Sequence, residues 1–190
     1  EEGTISIARA ERVSSYPSRF VLVLACNPCP CGNLGRPGAV CLCSGDEIRR
    51  YWKRLGGPLL DRIDLRVPVQ PVGPDALLAG PGESSRAVAE RVQMARLRQS
   101  RRQGASLSHL NSRLGPAELD IHCSLDAGAM EIFRAGIASG AVSTRASHGI
   151  LRVARTIADL RGADRIDSAA VVEAVELRRY GDEDCYWQIP

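Results

Sequence analysis

The sequence has no apolar run of about 18 residues, the length needed to cross a bilayer, so no membrane-spanning segment is expected. Its first residues also lack the basic and apolar pattern of a secretory signal peptide. Lysine is almost absent, because Lys53 is the only one among 25 basic residues. This bias is typical of a GC-rich genome, although arginine is also the better residue for binding phosphate. The net charge of +3 is too small to indicate a nucleic-acid partner by itself.

Seven cysteines are present, and without a secretory signal they argue against a framework of disulfides. Four of them form two C-x-C pairs on either side of a glycine-rich loop: Cys29, Cys31, Cys41 and Cys43. Four thiolates can complete a tetrahedral zinc site, and such a closed site is structural. Most zinc ribbons use the wider C-x₂-C spacing, so free thiols in a reducing compartment stay open as the alternative. Both interpretations favour the cytoplasm.

The first part of the chain has the patterns of β-strands. Ile5 and Ile7 alternate with polar residues, which predicts a half-buried strand or one arm of a hairpin over Ile5–Arg12. The uninterrupted apolar run Phe20–Cys26 is typical of a central strand in a parallel sheet covered on both faces. Alternation over Ile63–Val69 predicts a further strand.

The second part has the patterns of α-helices. It follows a linker rich in proline and glycine, and Ser84 or Ser85 is expected to cap its first helix, which runs to about Gln103. Later helices are predicted over Pro116–His122, Leu125–Ala138, Ser143–Leu160 and Asp167–Arg179. In the first part, Ser44 or Asp46 is expected to cap a short helix, and the residues Leu59–Arg62 to form one helical turn. The fold class is therefore α/β followed by all-α.

Three stretches resemble one protein family, in the family's order. Tyr16–Phe20 with Ala25–Gly32 resembles its YPARF and NPCPCG block, and Arg50–Leu65 resembles its RY and SGPLLDRIDL block. Ser143–Leu160 resembles its RVARTIADL block. The family is that of the magnesium-chelatase-like AAA+ ATPases, the ComM/YifB group, which lies in the same AAA+ branch as the MCM helicases. The joint match is highly specific, whereas each block alone is moderately so.

The resemblance implies a domain layout for the chain. Residues 1–72 are expected to be the C-terminal portion of the AAA+ P-loop α/β domain, followed by a linker at 73–85. Residues 86–181 are expected to form the helical lid domain, and residues 182–190 a tail. No G-x-x-x-x-G-K-[ST] loop and no Walker B acidic pair occur here, so the ATP phosphates and Mg²⁺ are expected to bind upstream, outside this chain.

The resemblance also implies roles for three residues near the nucleotide. Asn27 resembles sensor 1, and a neutral amide beyond the carboxyl end of a strand can orient the attacking water. Arg62 resembles the arginine finger, supplied to the ATP of the neighbouring subunit. Arg145 resembles sensor 2, which reaches from the lid to the nucleotide.

Each of these residues also has a structural interpretation that stays open. Asn27 can simply cap the turn before a proline, and Arg62 can pair with Asp61 or Asp64. Arg145 can be an ordinary arginine in a first helical turn, although the helix dipole slightly disfavours a cation there.

Basic residues outside these motifs suggest contacts with nucleic acid. Arg9 resembles the basic tip of the hairpin that precedes sensor 1 and touches DNA in related ring helicases. Arg91, Arg98 and Arg102 can form a phosphate-binding face, although a solvated or intersubunit face is the more ordinary interpretation. The three histidines are scattered and lack ligand spacing.

The leading hypothesis is a homo-hexameric, ATP-driven DNA motor with helicase-like branch migration, as the resemblance to the ComM group implies. The isolated chain is expected to be inactive, because it lacks the ATP-binding loop. A chelatase- or chaperone-like ATPase that remodels proteins uses the same nucleotide residues and stays open. A zinc-stapled interaction module is the third alternative.

Overall fold

A computed structural model describes most of the chain, namely residues 3–9, 12–69, 72–73, 78, 80, 82–104, 110–138 and 142–179. The predicted tail at 182–190 and about half of the predicted linker, residues 74–77, 79 and 81, lie outside these residues. Among the helices that are described, none combines the length and the apolar character required to cross a membrane.

The N-terminal hairpin consists of strands β1 (Thr4–Arg9) and β2 (Arg12–Pro17). They pair antiparallel, from Thr4 opposite Pro17 to Arg9 opposite Arg12. The predicted hairpin is therefore confirmed. Every residue of both strands is exposed, so the expected half-burial is wrong. The alternation in β1 does not lead to burial because no described element packs against the hairpin.

The two other predicted strands do not form in the described part of the chain. Phe20–Cys26 is extended but unpaired, and its side chains are exposed, with Val21 at 91% and Leu22 at 47%. Ile63–Val69 is likewise unpaired. A strand exists only through hydrogen bonds to a neighbour. No described strand pairs with either run, so an apolar, β-branched sequence is not enough.

The helices were predicted more accurately than the strands. Those among the described residues, with one 3₁₀ turn at Asn111–Arg113, are α1 (Gly45–Lys53), α2 (Gly57–Leu60), α3 (Ser85–Arg102), α4 (Pro116–His122), α5 (Ala127–Ala138), α6 (Thr144–Arg161) and α7 (Ser168–Arg179). The helical turn expected at Leu59–Arg62 corresponds to α2 and the turn that follows it.

The expected caps fix where the helices begin. Ser44 accepts a hydrogen bond from the amide of Glu47, and the Glu47 carboxylate accepts one from the amide of Ser44, which completes a capping box. Ser84 caps α3 and Ser143 caps α6 through the amide three residues later. At the other end of α6, Gly162 takes a left-handed conformation, with φ at 77°.

The buried apolar cluster lies entirely in the helical part, between residues 114 and 174. Helix α6 packs against α7, α3 and α4, and α5 packs against α7. Ile150, Ala154 and Ile157 are buried along one face of α6, as the helical spacing predicts. Leu160 is 47% exposed, so this buried face does not include it.

Candidate functional site

The four clustered cysteines meet at one point. Their Sγ atoms all lie within 4.8 Å of one another. The Sγ of Cys29 is 3.3 Å from that of Cys31 and 3.7 Å from that of Cys41, and Cys31 and Cys41 are 3.7 Å apart. Zinc–sulfur bonds of about 2.3 Å in a tetrahedron separate the sulfurs by about 3.8 Å. The donor set and its spacing therefore fit one zinc ion.

Tight turns in the intervening loop bring the two C-x-C pairs together. The amide of Gly32 donates to the carbonyl of Cys29 at 3.0 Å, and Gly32 has a φ of 77° that favours glycine. Further turns bond Arg36 to Asn33 and Ala39 to Arg36. The sequence pattern of prolines and glycines predicted this close approach correctly.

Helix α1 holds both ends of this cysteine loop. The Trp52 indole donates from Nε1 to the carbonyl of Pro28 at 3.1 Å, beside the first C-x-C pair. Ser44, the residue that caps α1, directly follows Cys43. Cys29 is fully buried, and Ile48 of α1 is 1% exposed. The thiols thus lie on a supported loop and not on a free one.

The thiols differ in acidity because they share hydrogen bonds. A backbone hydrogen bond at Asn33, together with those from Cys29 and Cys43, lowers the pKa of Cys31 to about 6. The pKa of Cys43 rises to about 12, since interactions with the other thiols and desolvation outweigh a backbone hydrogen bond at Cys31. Without metal the cluster therefore favours a thiolate at Cys31 and retains protons on Cys41 and Cys43, whose pKa values are raised. Metal binding must displace those protons.

Asn27 lies at the edge of the cysteine loop and is exposed. A Cβ added at Gly32 would lie 3.4 Å from the Asn27 Nδ2, so the turn of the loop packs against this carboxamide. Next to it, Pro28 is held by Trp52. The amide that the sequence singled out is thus supported by the cysteine loop.

Arg62 is exposed on the turn after α2. Its Nη1 donates to the carbonyl of Pro58 at 2.6 Å, within the same turn. The carboxylates of Asp61 and Asp64, which were its alternative partners, instead pair with Arg178 of α7 at 3.2 and 3.5 Å. The two acids therefore have another partner, and Arg62 remains accessible to solvent.

Sequence reasoning missed Arg178 and Arg66, which are both buried. Arg178 Nη2 donates to the carbonyl of Asp61 at 2.5 Å, and Arg66 Nη2 donates to that of Leu60 at 2.8 Å. No local signal could have found the first contact, because its partners are 117 residues apart in the chain. One weak signal was present in Gly149, an unfavourable residue for the middle of a helix. A Cβ there would lie 2.8 Å from Asp64 Oδ1 and 3.1 Å from Arg178 Nη1.

Arg145 lies in the first turn of α6 and is exposed. The hydroxyl of Ser143, which caps this helix, also donates to Asp61 Oδ1 at 3.4 Å. The start of α6 therefore touches the turn that carries Arg62. The structure brings together the segments of two of the three residues assigned to the nucleotide, Arg62 and Arg145.

Arg9 lies at the tip of the hairpin, where it is paired with Arg12 in the register of the strands. Both residues are exposed. Two guanidinium-bearing residues therefore flank the connection between β1 and β2. This arrangement can contact phosphate groups.

The three arginines of α3 that the sequence suggested as a phosphate-binding face, Arg91, Arg98 and Arg102, have carboxylate partners in the chain. Arg91 donates to both oxygens of Glu83 at 2.6 and 2.9 Å, and Arg98 is 4.0 Å from Asp164. Arg102 pairs with the buried carboxylate of Asp159. These ion pairs favour the interpretation of α3 as a structural face and not as a phosphate-binding one.

A buried polar network joins α3, the 3₁₀ turn and α6. Asp159 accepts from Arg102 and from Asn111 Nδ2 at 2.8 Å, and lies 3.1 Å from Arg155. Burial lowers the pKa of Arg155, and the charge of Asp159 opposes that shift. Arg155 therefore pairs with a carboxylate of its own helix. Arg152 does not, and donates to the carbonyl of Leu114 instead.

Comparisons with known proteins cover almost the whole chain. Residues 1–77 match the family model described as magnesium chelatase, subunit ChlI, and residues 82–178 match that of the ChlI C-terminal region. The YifB protein of Escherichia coli and the competence protein ComM of Haemophilus influenzae are each 38% identical over 180 residues. An uncharacterized protein of Mycobacterium tuberculosis is 36% identical over 181 residues. These alignments cover 94–95% of this chain but only 34–36% of the relatives, so the chain spans about a third of their length.

Proposed function

The chain belongs to the magnesium chelatase ChlI family, in the group of YifB and ComM, and on that premise we propose that it is part of an ATP-driven ring motor acting on DNA. The observation that carries the proposal is the match of both family models, one after the other, over residues 1–77 and 82–178. The name of one relative, competence protein ComM, supports DNA as the substrate. Homo-hexamers are the proposed assembly.

In this proposal three side chains act around one ATP with its Mg²⁺, whose main binding loop lies outside this chain. Asn27 orients the attacking water, and Arg62 stabilises charge on the phosphoryl group bound by the neighbouring subunit. Arg145 links the helical part to the nucleotide. The exposure of all three residues, and the support that Asn27 and Arg62 receive from their turns, favours these roles.

Arg9 is the proposed contact to DNA. Its position beside Arg12 at an exposed hairpin tip suits phosphate groups, which are recognised by charge and not by base sequence. Arg12 at the same tip supports this contact further, because two positive charges attract phosphate groups more strongly than one. None of the residues in the two strands of the hairpin is buried, so neither strand is tied to a purely structural role by packing.

The test is ATP hydrolysis by the intact protein, with and without single- and double-stranded DNA. We expect DNA to stimulate turnover, and Arg62→Ala to lower kcat by roughly 10³-fold or more, as for other arginine fingers. Arg49→Ala, which removes an exposed arginine paired with Asp46, serves as the control and should leave kcat unchanged. A rate of ATP hydrolysis that neither form of DNA changes would contradict the proposed DNA motor.

The second candidate function is an ATPase that remodels proteins. A variant of the hairpin distinguishes it from a DNA motor. In a DNA motor, Arg9→Ala abolishes the stimulation by DNA while basal hydrolysis persists. In a protein remodeller the same variant leaves hydrolysis unchanged under all conditions. Arg36→Ala, an exposed arginine in the cysteine loop, is the matched control.

A structural zinc ion is the proposed second metal, bound by the four clustered cysteines: Cys29, Cys31, Cys41 and Cys43. Sulfur–sulfur distances of 3.3–3.7 Å among Cys29, Cys31 and Cys41, with the Cys43 sulfur within 4.8 Å of each, support it, and four protein ligands leave no open position for chemistry. Coordination by the four thiolates would fix the conformation of the loop between Asn27 and α1. This centre also keeps the third alternative open, a zinc-stapled interaction module, which would self-associate without nucleotide.

Metal analysis of the purified protein tests the zinc proposal. We expect one zinc per chain, lost in Cys31→Ser and in Cys43→Ser. Cys26→Ser should retain it, because Cys26 is exposed and lies outside the cluster. A protein that neither carries zinc nor takes it up from a colorimetric chelator would contradict the assignment.

A further inference from the structure

The turn that carries Arg62 is held by the helical part of the chain. Arg178, near the end of α7, has a side chain only 7% exposed and extends its guanidinium into the turn. A buried arginine needs partners for both its charge and its donors, because leaving either unsatisfied is costly. Among the described residues, the partners of Arg178 lie between residues 61 and 64.

Its bonds fall on both sides of Arg62. Nη2 donates to the carbonyl of Asp61 at 2.5 Å and to the Asp61 carboxylate at 3.2 Å. Nη1 donates to the carbonyl of Ile63 at 3.4 Å and lies 3.5 Å from the carboxylate of Asp64. The planar fork thus holds the backbone before and after Arg62, which a single-point donor could not do. We call Arg178 with Asp61, Ile63 and Asp64 the Arg178 clamp.

Further contacts attach the same turn to the helices. The amide of Arg66 donates to the carbonyl of Leu177 at 2.7 Å, next to Arg178 in α7. At the start of α6, the hydroxyl of Ser143 donates to the carboxylate of Asp61. Gly149 of α6 leaves room for the clamp, since a Cβ there would crowd Asp64 and Arg178. Contacts from two helices converge on this one short turn.

We propose that Arg178 is a positioning residue that sets the reach of Arg62, so that the helical part and the arginine finger move as one unit. The inference rests on the proposed function for the role of Arg62 itself. A finger must reach the nucleotide of a neighbouring subunit within hydrogen-bonding distance. A displacement of about 1 Å is enough to reduce such a contribution strongly. Holding the flanking carbonyls limits that displacement without engaging the Arg62 guanidinium.

Hydrogen exchange of the intact protein tests the clamp independently of any activity. Arg178→Gln should raise the exchange of the amides of residues 62–66 by about tenfold or more, while residues 29–44 are unaffected. Arg161→Gln is the matched control, since it breaks an exposed pair between α6 and Glu173 of α7. Unchanged exchange in the turn overturns the clamp. A thermal melt identifies a variant that has unfolded, and Arg178→Lys, which keeps the charge but not the fork, then takes its place.

ATP hydrolysis tests the positioning role through a double-mutant comparison. In the wild-type background Arg178→Gln should lower kcat by about tenfold, with little change in KM for ATP. In the Arg62→Ala background the same change should have no further effect, because the residue that it positions is absent. Arg178→Lys should recover part of the loss. If Arg178 were purely structural, Arg178→Gln would lower kcat by the same factor in both backgrounds, and that result would overturn the proposal.

The two tests separate the possible failures. If Arg62→Ala leaves turnover unchanged, the finger role is wrong, and with it the catalytic half of the inference. The exchange measurement then still decides whether Arg178 holds the turn. If Arg62→Ala removes turnover but Arg178→Gln does not, the proposed function stands and the positioning role is rejected.

Discussion

Apolar side chains are buried in the helical part of the chain, residues 110–178, and exposed along residues 20–24. Ile166 and Val171 are fully buried, whereas Val21 is 91% and Val23 is 84% exposed. All four residues are β-branched and apolar, so residue chemistry does not explain the difference. The difference lies in the covering surface, because α7 packs against both α5 and α6, while no described strand pairs with the run at 20–24. Burial is a property of the partner as much as of the residue.

Polar groups organise both regions, but in different ways. In the helical part, Arg155 and Asp159 are buried and join three elements through side-chain bonds. In the cysteine loop, closely spaced thiols and tight turns hold the chain, with Cys29 as the only fully buried thiol among the described residues. The helical part is therefore expected to be stable without a ligand, whereas the loop is expected to depend on the proposed zinc ion.

The largest effect is expected at the buried network of the helical part. Asp159→Ala leaves the Arg155 charge buried without its carboxylate and should lower the free energy of unfolding by about 3–5 kcal/mol. Urea denaturation followed by circular dichroism of the helices measures it. Asp46→Ala removes an exposed carboxylate and should leave the midpoint unchanged. Similar midpoints for the two variants would mean that the buried network does not stabilise the helices.

A leucine pair tests the contrast in burial directly. Leu119 is 2% exposed in the helical core and Leu22 is 47% exposed in the apolar run. Leu119→Ala should cost about 2–5 kcal/mol, from lost burial and the cavity that remains. Leu22→Ala should change stability by less than about 0.5 kcal/mol. If Leu22→Ala lowered the free energy of unfolding as much as Leu119→Ala does, measured by the same denaturation, a surface would have to cover the run in solution.

A glycine pair gives the smallest effect. Gly136 of α5 has open space around an added Cβ, so Gly136→Ala should stabilise the protein by up to about 1 kcal/mol through helix propensity. Gly149→Ala should gain clearly less, because its Cβ would lie 2.8 Å from Asp64 Oδ1 and disturb the Arg178 clamp. Thermal melts of the two variants measure the difference. Equal gains would show that Asp64 moves aside without cost.

The helices could be predicted because their signals are local. Ser44, Ser84 and Ser143 each cap a helix through an amide three residues later, so sequence alone places those ends. The C-x-C pairs are also local, and their convergence was predicted correctly. The strand predicted over Phe20–Cys26 is wrong for the described residues, because a strand needs a second segment to pair with. The roles of Asn27, Arg62, Arg145 and Arg9 stay proposals.

The sequence by itself determined where the helices begin, how the cysteine loop turns and which family the chain resembles. Each of these depends on residues a few positions apart, whose contacts the chain cannot avoid making. Only the tertiary structure decided which charges are paired. Asp61 and Asp64 bond to Arg178 and not to their neighbour Arg62, because burial selects the partner that satisfies a desolvated guanidinium. That choice depends on three-dimensional packing, to which spacing along the chain gives no guide.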